Sequence, residues 1–344
     1  MHRREWLFSA AAWTCAHSAS AQAAAAAVEK RALTIAVGGK SLLYYLPLTV
    51  ADSLGYFKAE GLDVTLTDFP GGSRALQALV GGSADVVSGA FEHTLNMQPK
   101  GQALRCFVLQ GRSPQIVLGI NLKTLPGYST VADLKGKKIG VTAPGSSTHT
   151  MVNIVLAQAG MKPGDVSIIG VGAGSSAVAA FRAGQIDAIS AVDPAITVLQ
   201  RAGELKVVFD TRKVAESDKI FGGPMVAACL YAPLGFINKY PGTTQALTNA
   251  IVRANKWIQA AGPSDIIKAV PENYLLGDRA VYIDAFLAVK GAMSFDGTIP
   301  QEAAATAALA LRSADHSLES FKFDLAAVFT NDFVKRANQR YPKG

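Results

Sequence analysis

GSRALQALVGGSADVVS, at Gly72–Ser88, is matched further along the chain by GSSAVAAFRAGQIDAIS at Gly174–Ser190. Both stretches begin with Gly-Ser, carry Gly and Asp at the same inner positions and end in Ser. Each predicts a capped amphipathic helix, a glycine that ends the helix, and a short buried strand. We interpret them as one structural unit used twice. The same ungapped offset aligns further pairs outside the two stretches: Gly38 with Gly140, and Asp63–Val64 with Asp165–Val166.

The bulk composition is that of a globular protein with more than one domain. The chain has 344 residues, of which 49% are hydrophobic and 17% charged, so it is too long for one ordinary core and too apolar for a disordered chain. The net charge of +7 comes from scattered basic residues without Lys/Arg runs or interleaved aromatic residues. This pattern argues against a nucleic-acid partner and weakly favours anionic ligands.

The N-terminus has the three regions of an export signal in the usual order. His2–Arg4 is basic, Trp6–Trp13 is apolar, and Ala21–Ala23 has the small-x-small pattern of a cleavage site. We therefore predict a signal peptide at 1–23 and export to a periplasm. Arg3–Leu7 also resembles a twin-arginine signal, so the general secretory and twin-arginine routes both stay open.

Strand and helix patterns alternate through the first two thirds of the chain, which predicts an α/β fold with two parallel-sheet lobes. The predicted domains are the signal peptide 1–23, a first lobe at 31–120 plus 226–344, and a second lobe at 121–225. Helical patterns fill the region after the repeat. The chain would cross between the lobes near Ile120–Asn121 and again near Gly222–Ala227, and two such crossings form a hinge.

Ligands of open α/β sheets bind at the loops that follow the carboxyl ends of the strands. Most of these loops here are rich in Gly and Ser and lead into helices, whose first N–H groups and dipole favour anions. Simple helix capping is the alternative for each loop. The predicted ligand-binding residues are Ser41, Tyr44, Gly72, Ser73, Phe91, Glu92, Ser146, Ser147, Thr148, Ser175 and Asp193.

Two acids in this set constrain the ligand. The repeat places Glu92 and Asp193 beside each other in the alignment, and two carboxylates facing one cleft would repel a bare inorganic anion. We therefore predict an organic acid that also carries an ammonium, amide or hydroxyl donor. Glu92 could instead be a solvated first-turn acid, and Asp193 the cap of the next helix. The aromatic side chains of Tyr44, Tyr45 and Phe91 could line the ligand-binding site or pack in the core.

The sequence offers little support for catalysis. His93 and His149 are the histidines near the predicted loops, and no Gly-x-Ser-x-Gly elbow occurs. Gly39–Ser41 has the letters of a phosphate loop but lacks its first glycine. Cys106 and Cys229 lie in apolar runs, which favours buried thiols over a disulfide. We expect no metal, no cofactor and no enzymatic activity.

Several motifs together resemble the substrate-binding proteins of ABC importers in the nitrate/sulfonate/taurine group. They include GYFKAEGLDV at Gly55–Val64, DLKGKKIGV at Asp133–Val141, PGSSTH at Pro144–His149 and AGQIDAISAVDP at Ala183–Pro194. The resemblance implies a two-lobed periplasmic-binding-protein fold of type II. It also implies a monomer that closes on a small anion and delivers it to a membrane permease with its ATPase.

Two other functions stay open at this point. The same group has a pyrimidine-precursor branch related to an enzyme of the thiamine pathway, although the Cys-rich motif of that enzyme is absent here. A periplasmic-binding-fold enzyme, such as a pyrimidine synthase or a dehydratase, is therefore the main alternative. A soluble sensor partner of a membrane receptor is the other.

Overall fold

The computed structural model describes residues 27–343, so the predicted signal peptide lies outside the described residues. Ten strands form two five-stranded sheets. The strands are β1 Ala32–Val37, β2 Asp63–Asp68, β3 Val86–Ala90, β4 Leu104–Leu109, β5 Val117–Asn121, β6 Lys138–Val141, β7 Ser167–Gly170, β8 Ala188–Ala191, β9 Leu205–Asp210 and β10 Ala228–Pro233.

The helices cover both sheets and extend through the C-terminal third. They are α1 Leu46–Ser53, α2 Tyr56–Ala59, α3 Gly72–Val80, α4 Glu92–Met97, α5 Ser147–Gln158, α6 Ser175–Arg182, α7 Ala195–Arg201, α8 Val214–Phe221, α9 Leu234–Lys239, α10 Pro241–Ala260, α11 Pro263–Ala269, α12 Arg279–Val289, α13 Gln301–Ala314, α14 Leu325–Val328 and α15 Asp332–Arg340. None of these helices, within the described range, is both long enough and apolar enough to cross a membrane.

Each sheet is the centre of one lobe, and the two sheets have equivalent strand orders. The first runs β2-β1-β3-β10-β4 and the second β7-β6-β8-β5-β9. The predicted α/β class with two lobes is confirmed. In each sheet, however, one strand is antiparallel to its neighbours: β10 in the first and β5 in the second. These two strands follow the crossings between the lobes, so they enter their sheets from the opposite end.

The repeated Asp has the same structural task in both halves. The Asp85 carboxylate accepts a hydrogen bond from the Thr34 N–H of β1 at 3.0 Å. The Asp187 carboxylate accepts one from the Lys138 N–H at the start of β6, at 2.9 Å. In each lobe the residue before a central strand therefore binds the backbone of the neighbouring strand, which explains why this position is an acid twice.

The ungapped alignment does not hold at its first glycine pair. Gly38 follows the end of β1, whereas Gly140 lies inside β6, so the two glycines are not structurally equivalent. Gly38 is required for a different reason. A Cβ atom at this position would lie 2.2 Å from the backbone nitrogen of Gly72, so only glycine allows α3 to start directly beside the end of β1.

The first crossing precedes its predicted position. The predicted boundary placed 117–120 in the first lobe, but β5 pairs with β8 and β9 of the second sheet, so the crossing spans 110–116. The return passes through α8 to β10. Thr211 connects the two segments, because its hydroxyl accepts the Ile116 N–H at 2.8 Å and its carbonyl accepts from the Ser113 hydroxyl. The paired segments have the arrangement of a hinge.

The C-terminal helices connect the two lobes at a second place, away from the hinge. Most of them pack on the first lobe, and α10 contacts both α1 and α15. Two of them also contact the second lobe: α13 packs against α5, and α12 packs against α7 with an Arg201–Asp284 ion pair at 3.2 Å. The cleft between the sheets is therefore bounded by the hinge and by these two helix contacts. Cys106 and Cys229 are buried in the first lobe with free thiols, as predicted.

Candidate functional site

Two of the cavities between the lobes lie next to the carboxyl ends of the strands. The first, here called the loop cavity, has a volume of about 10 Å³ and is lined by residues that include Gly38, Tyr45, Gly72, Thr142 and Thr148. The second, the helix cavity, has about 30 Å³ and lies between α5 and α13. Tyr44 and Ser147 line both. Each cavity has walls from both lobes, which is the arrangement expected of a cleft ligand site.

The start of α3 contacts the second lobe directly. The Ser73 N–H donates to Ser146 Oγ at 3.0 Å, and the Ser146 hydroxyl lies 3.2 Å from Ser73 Oγ. The Ser73 hydroxyl donates to the Pro144 carbonyl at 2.9 Å. A Cβ on Gly71 would lie 2.8 Å from that of Ala143, so a glycine is needed here. Ser73 and Ser146, both predicted to bind ligand, thus bind each other across the cleft.

At the start of α5, two neighbouring residues have different roles. Thr148 is buried, and its hydroxyl oxygen accepts the Thr142 N–H at 3.1 Å while lying 2.9 Å from Thr142 Oγ1. Its side chain therefore fixes the loop. Ser147, the first residue of the helix, is half-buried and faces both cavities. Of the Ser146–Thr148 group, Ser147 is the one placed to contact a ligand with its side chain.

Glu92 is the single charged residue among the described residues that line either cavity. It begins α4 and is half-buried in the wall of the helix cavity, opposite Met151 and Ile154. Burial in these apolar surroundings raises the pKa of its carboxyl group to about 7. No Lys or Arg side chain belongs to the described lining, so an anionic group here would have only helix N–H groups and hydroxyls as partners.

Asp193 lies outside both cavities and has partners of its own. One carboxylate oxygen accepts the Thr197 N–H at 2.9 Å and the Thr197 hydroxyl at 2.7 Å. The other lies 3.2 Å from the guanidinium of Arg212. The Asp193 carbonyl also accepts the Leu43 N–H from the first lobe at 3.0 Å. The capping role that the sequence left open is the one that this geometry supports.

Three other predicted residues lie elsewhere. Phe91 is fully buried in the core of the first lobe, with its ring 6.2 Å from that of Phe329. Ser175 is exposed at the start of α6 and lines neither cavity. Ser41 is half-buried at the rim, where a Cβ on Gly174 would lie 3.5 Å from its hydroxyl. The structure thus brings Tyr44, Gly72 and Glu92 together at the cleft with the Ser146–Thr148 loop.

The two histidines near the cleft bind parts of the fold. His93 is buried, its Nδ1 lies 3.1 Å from the Tyr231 hydroxyl, and burial lowers its pKa to about 4. His149 accepts the Gly145 N–H on its Nδ1 at 3.0 Å. Neither residue lines these two cavities, but both line a third cavity of about 720 Å³ between α3, α5 and α13.

Sequence reasoning missed one wall of the site. The helix cavity is bounded by Met151 and Ile154 of α5, by Phe221 and Met225 after the second lobe, and by three residues of α13, which are Ala307, Ala310 and Leu311. The helical spacing within α5 was a usable signal. No local pattern indicates that α13, so distant in the sequence, closes the cleft.

A model of the NMT1-like family matches residues 26–270 of this chain. Among solved structures, a protein of Bordetella bronchiseptica RB50 is 57% identical, with a TM-score of 0.91 over 92% of this chain and 100% of that one.

More distant structures share the fold. The alkanesulfonate-binding protein SsuA of Xanthomonas axonopodis pv. citri, solved bound to MOPS, has a TM-score of 0.65 at 20% identity, covering 90% of this chain and 99% of that one. The nitrate-binding protein NrtA of Synechocystis PCC 6803 has a TM-score of 0.71 at 15% identity, covering 92% and 90%. At these identities the likeness establishes a common fold, that of two-lobed periplasmic binding proteins.

Curated relatives match over shorter segments. A protein of Brucella abortus (strain 2308), described as a binding protein, is 32% identical over 154 residues, which are 44% of this chain and 45% of the relative. The chain thus spans less than half the length of the first curated relatives it matches. A 4-amino-5-hydroxymethyl-2-methylpyrimidine phosphate synthase of Schizosaccharomyces pombe is 28% identical over 141 residues, 41% of this chain and 39% of that one.

Proposed function

Because this chain belongs to the NMT1-like family, we propose that it is the substrate-binding component of an ABC-type importer. It would be exported to the periplasm, capture a small organic anion between its lobes, and deliver it to a membrane permease with its ATPase. The observation that carries this proposal is the site itself: both lobes supply walls to the same two cavities, beside a paired hinge. The sulfonate- and nitrate-binding proteins of the same fold support it.

The lining of the cavities favours a substituted organic acid over a bare anion. The starts of α3 and α5 meet at the loop cavity, where N–H groups and the Ser147 and Tyr45 hydroxyls can bind an anionic group. Glu92 in the helix cavity calls for a hydrogen-bond donor at the other end of the ligand. An amino- or hydroxy-substituted sulfonate or carboxylate has both groups.

A binding assay with matched ligands tests this proposal. Calorimetry of the purified protein would compare nitrate, sulfate, unsubstituted short alkanesulfonates and carboxylates, and their amino or hydroxy forms. We expect the substituted organic acids to bind most tightly, because each of their ends has a partner. If nitrate or sulfate binds most tightly instead, the proposed ligand class is wrong while the importer role remains.

A pyrimidine-precursor enzyme is the second candidate, and the Schizosaccharomyces pombe relative is the observation that favours it. Neither His93 nor His149 lines the loop cavity or the helix cavity, although both line a larger cavity between α3, α5 and α13. Mass spectrometry of each bound ligand after prolonged incubation separates the two functions. An importer protein returns its ligand unchanged, and any stoichiometric conversion would support the enzyme.

A further inference from the structure

The helix cavity is a slot between two helices from different parts of the chain. On α5, its lining residues Ser147, Thr150, Met151 and Ile154 have the spacing of one helix face. On α13, Ala307, Ala310 and Leu311 likewise form one face, and α13 packs against α5. A helix of the C-terminal region therefore closes a site that the two lobes share.

The chemistry of the slot is nearly uniform. Its remaining walls are apolar, from Pro114 and Ile116 at the hinge and from Phe221, Met225 and Val226 before β10. Its volume of about 30 Å³ is room for roughly two water-sized groups. An apolar arm of a ligand would lose water here without leaving a polar group unpaired, provided that its one donor meets Glu92.

The α13 wall lies outside the part of the chain that defines the family. The family match ends at residue 270, and α13 begins at Gln301. The hinge, the α3 start and the α5 start all fall inside the matched range. The hinge and the two helix starts thus belong to the matched region, whereas the α13 wall of the slot does not.

We propose that α13 is the specificity helix of this protein: Ala307, Ala310 and Leu311 set how long an apolar arm of the ligand can be, with Glu92 binding a donor on that arm. The ligand class is a small organic acid with a short alkyl arm that carries an N–H or O–H donor. This inference rests on the proposed function. Ala307 and Ala310 contribute short side chains to the slot, and Leu311 lines both the slot and the larger cavity beside it.

The test enlarges the slot in one variant and fills it in another, and it measures the affinity of each variant for a series of ligands. Leu311→Ala enlarges the slot, whereas Ala310→Leu fills it from a half-buried position of the same helix. Leu309→Ala is the matched control, because Leu309 is 62% exposed on α13 and lines no part of the cavity. Each variant would be titrated calorimetrically with straight-chain alkanesulfonates of about one to six carbons and with their terminal amino forms.

We expect the wild-type profile to peak at a short arm. Leu311→Ala should move the peak to longer arms and improve the affinity of the longer members at least tenfold, since each buried methylene is worth about fourfold. Ala310→Leu should weaken all but the shortest members at least tenfold. Leu309→Ala should keep the wild-type profile. A thermal melt of each variant confirms that it is folded.

Two results would overturn the inference, and they differ. If the wild type binds the series but both slot variants keep its profile, α13 does not set specificity, and the proposed function stands. If the wild type binds no member of the series, the proposed ligand class fails and the inference fails with it. The inference requires that Leu311→Ala and Ala310→Leu change the preferred arm length in opposite directions. Unfolding of one variant therefore cannot count as support.

Discussion

Glu92 and Asp193 show how two acids at neighbouring repeat positions acquire different roles. Asp193 is buried with both oxygens bonded, and Arg212 opposes the rise in pKa that burial causes. Glu92 has apolar neighbours in the helix cavity, and its pKa rises to about 7. The first is a structural ion pair. The second is a titratable group in a cleft, where perturbed pKa values are typical of functional residues.

A change of Glu92 should alter the pH dependence of stability. Its pKa is about 7 when folded and near 4.5 when unfolded, so the folded state binds more protons between these values and the unfolding free energy falls as pH rises through them. Glu92→Gln removes this loss. Because the residue is half-buried, we expect the variant to be more stable than wild type by about 1–2 kcal/mol at pH 8 and equal to it at pH 4.

Urea unfolding at several pH values measures this difference. Glu302→Gln is the control, since it makes the same substitution at an exposed position in the first turn of α13. Equal stabilities of Glu92→Gln and wild type at pH 8 would mean that the cavity does not desolvate the carboxyl group.

The ion pair of Asp193 predicts a large loss of stability on truncation. Asp193→Ala leaves the buried guanidinium of Arg212 with Asp210 alone and removes the bonds to Thr197. We expect a loss of about 3 kcal/mol, and a smaller one for Asp193→Asn, whose amide oxygen still accepts from Thr197. Glu272→Ala breaks an exposed pair with Arg279 and should cost less than about 1 kcal/mol in the same urea titration. Equal losses for the Ala and Asn variants would contradict this assignment.

At the scale of elements, the starts of α3 and α5 would form the anion end of the proposed site, where Ser147 lines both cavities. A hydrogen bond to a charged group contributes about 1.5–3 kcal/mol. Ser147→Ala should therefore weaken ligand binding at least tenfold with little change in stability. Ser175→Ala, at the exposed start of α6, should leave affinity unchanged. Calorimetry with a ligand that binds the wild type would measure the affinity of each variant. Equal affinities of the two variants would exclude this role for Ser147.

The elements that the sequence predicted well are those with local signals. The repeat predicted both helix–strand units and both glycine-rich helix starts. The sequence could not show that Phe91 and Ser175 line neither cavity, because a local pattern does not reveal which side of a strand end faces the other lobe. Residues 117–120 were assigned to the wrong lobe because a strand joins a sheet through long-range pairing. The α13 wall depends on contacts between residues more than a hundred positions apart, which leave no periodic trace.

At the scale of the whole molecule, the hinge predicts a change of shape on binding. The segments 110–116 and 211–227 are bonded side by side, and the cavities draw walls from both lobes, so a ligand favours the closed form. Small-angle X-ray scattering should give a smaller radius of gyration at saturating ligand. An unchanged radius with binding verified by calorimetry would show that the lobes do not move.

The bonds between Ser73 and Ser146 contribute to the affinity of this protein for a ligand without contributing to its specificity. They join protein atoms of the two lobes, so their share of the closing free energy would be common to every ligand. Removing both hydroxyls should lower all affinities by one shared factor and leave their ranking intact. In a transport cycle the same bonds would set the background of closed receptors that reach the permease without cargo. Substitutions at these two serines would then change how often closed protein without ligand reaches the permease, and they would do so independently of the chemistry of the slot.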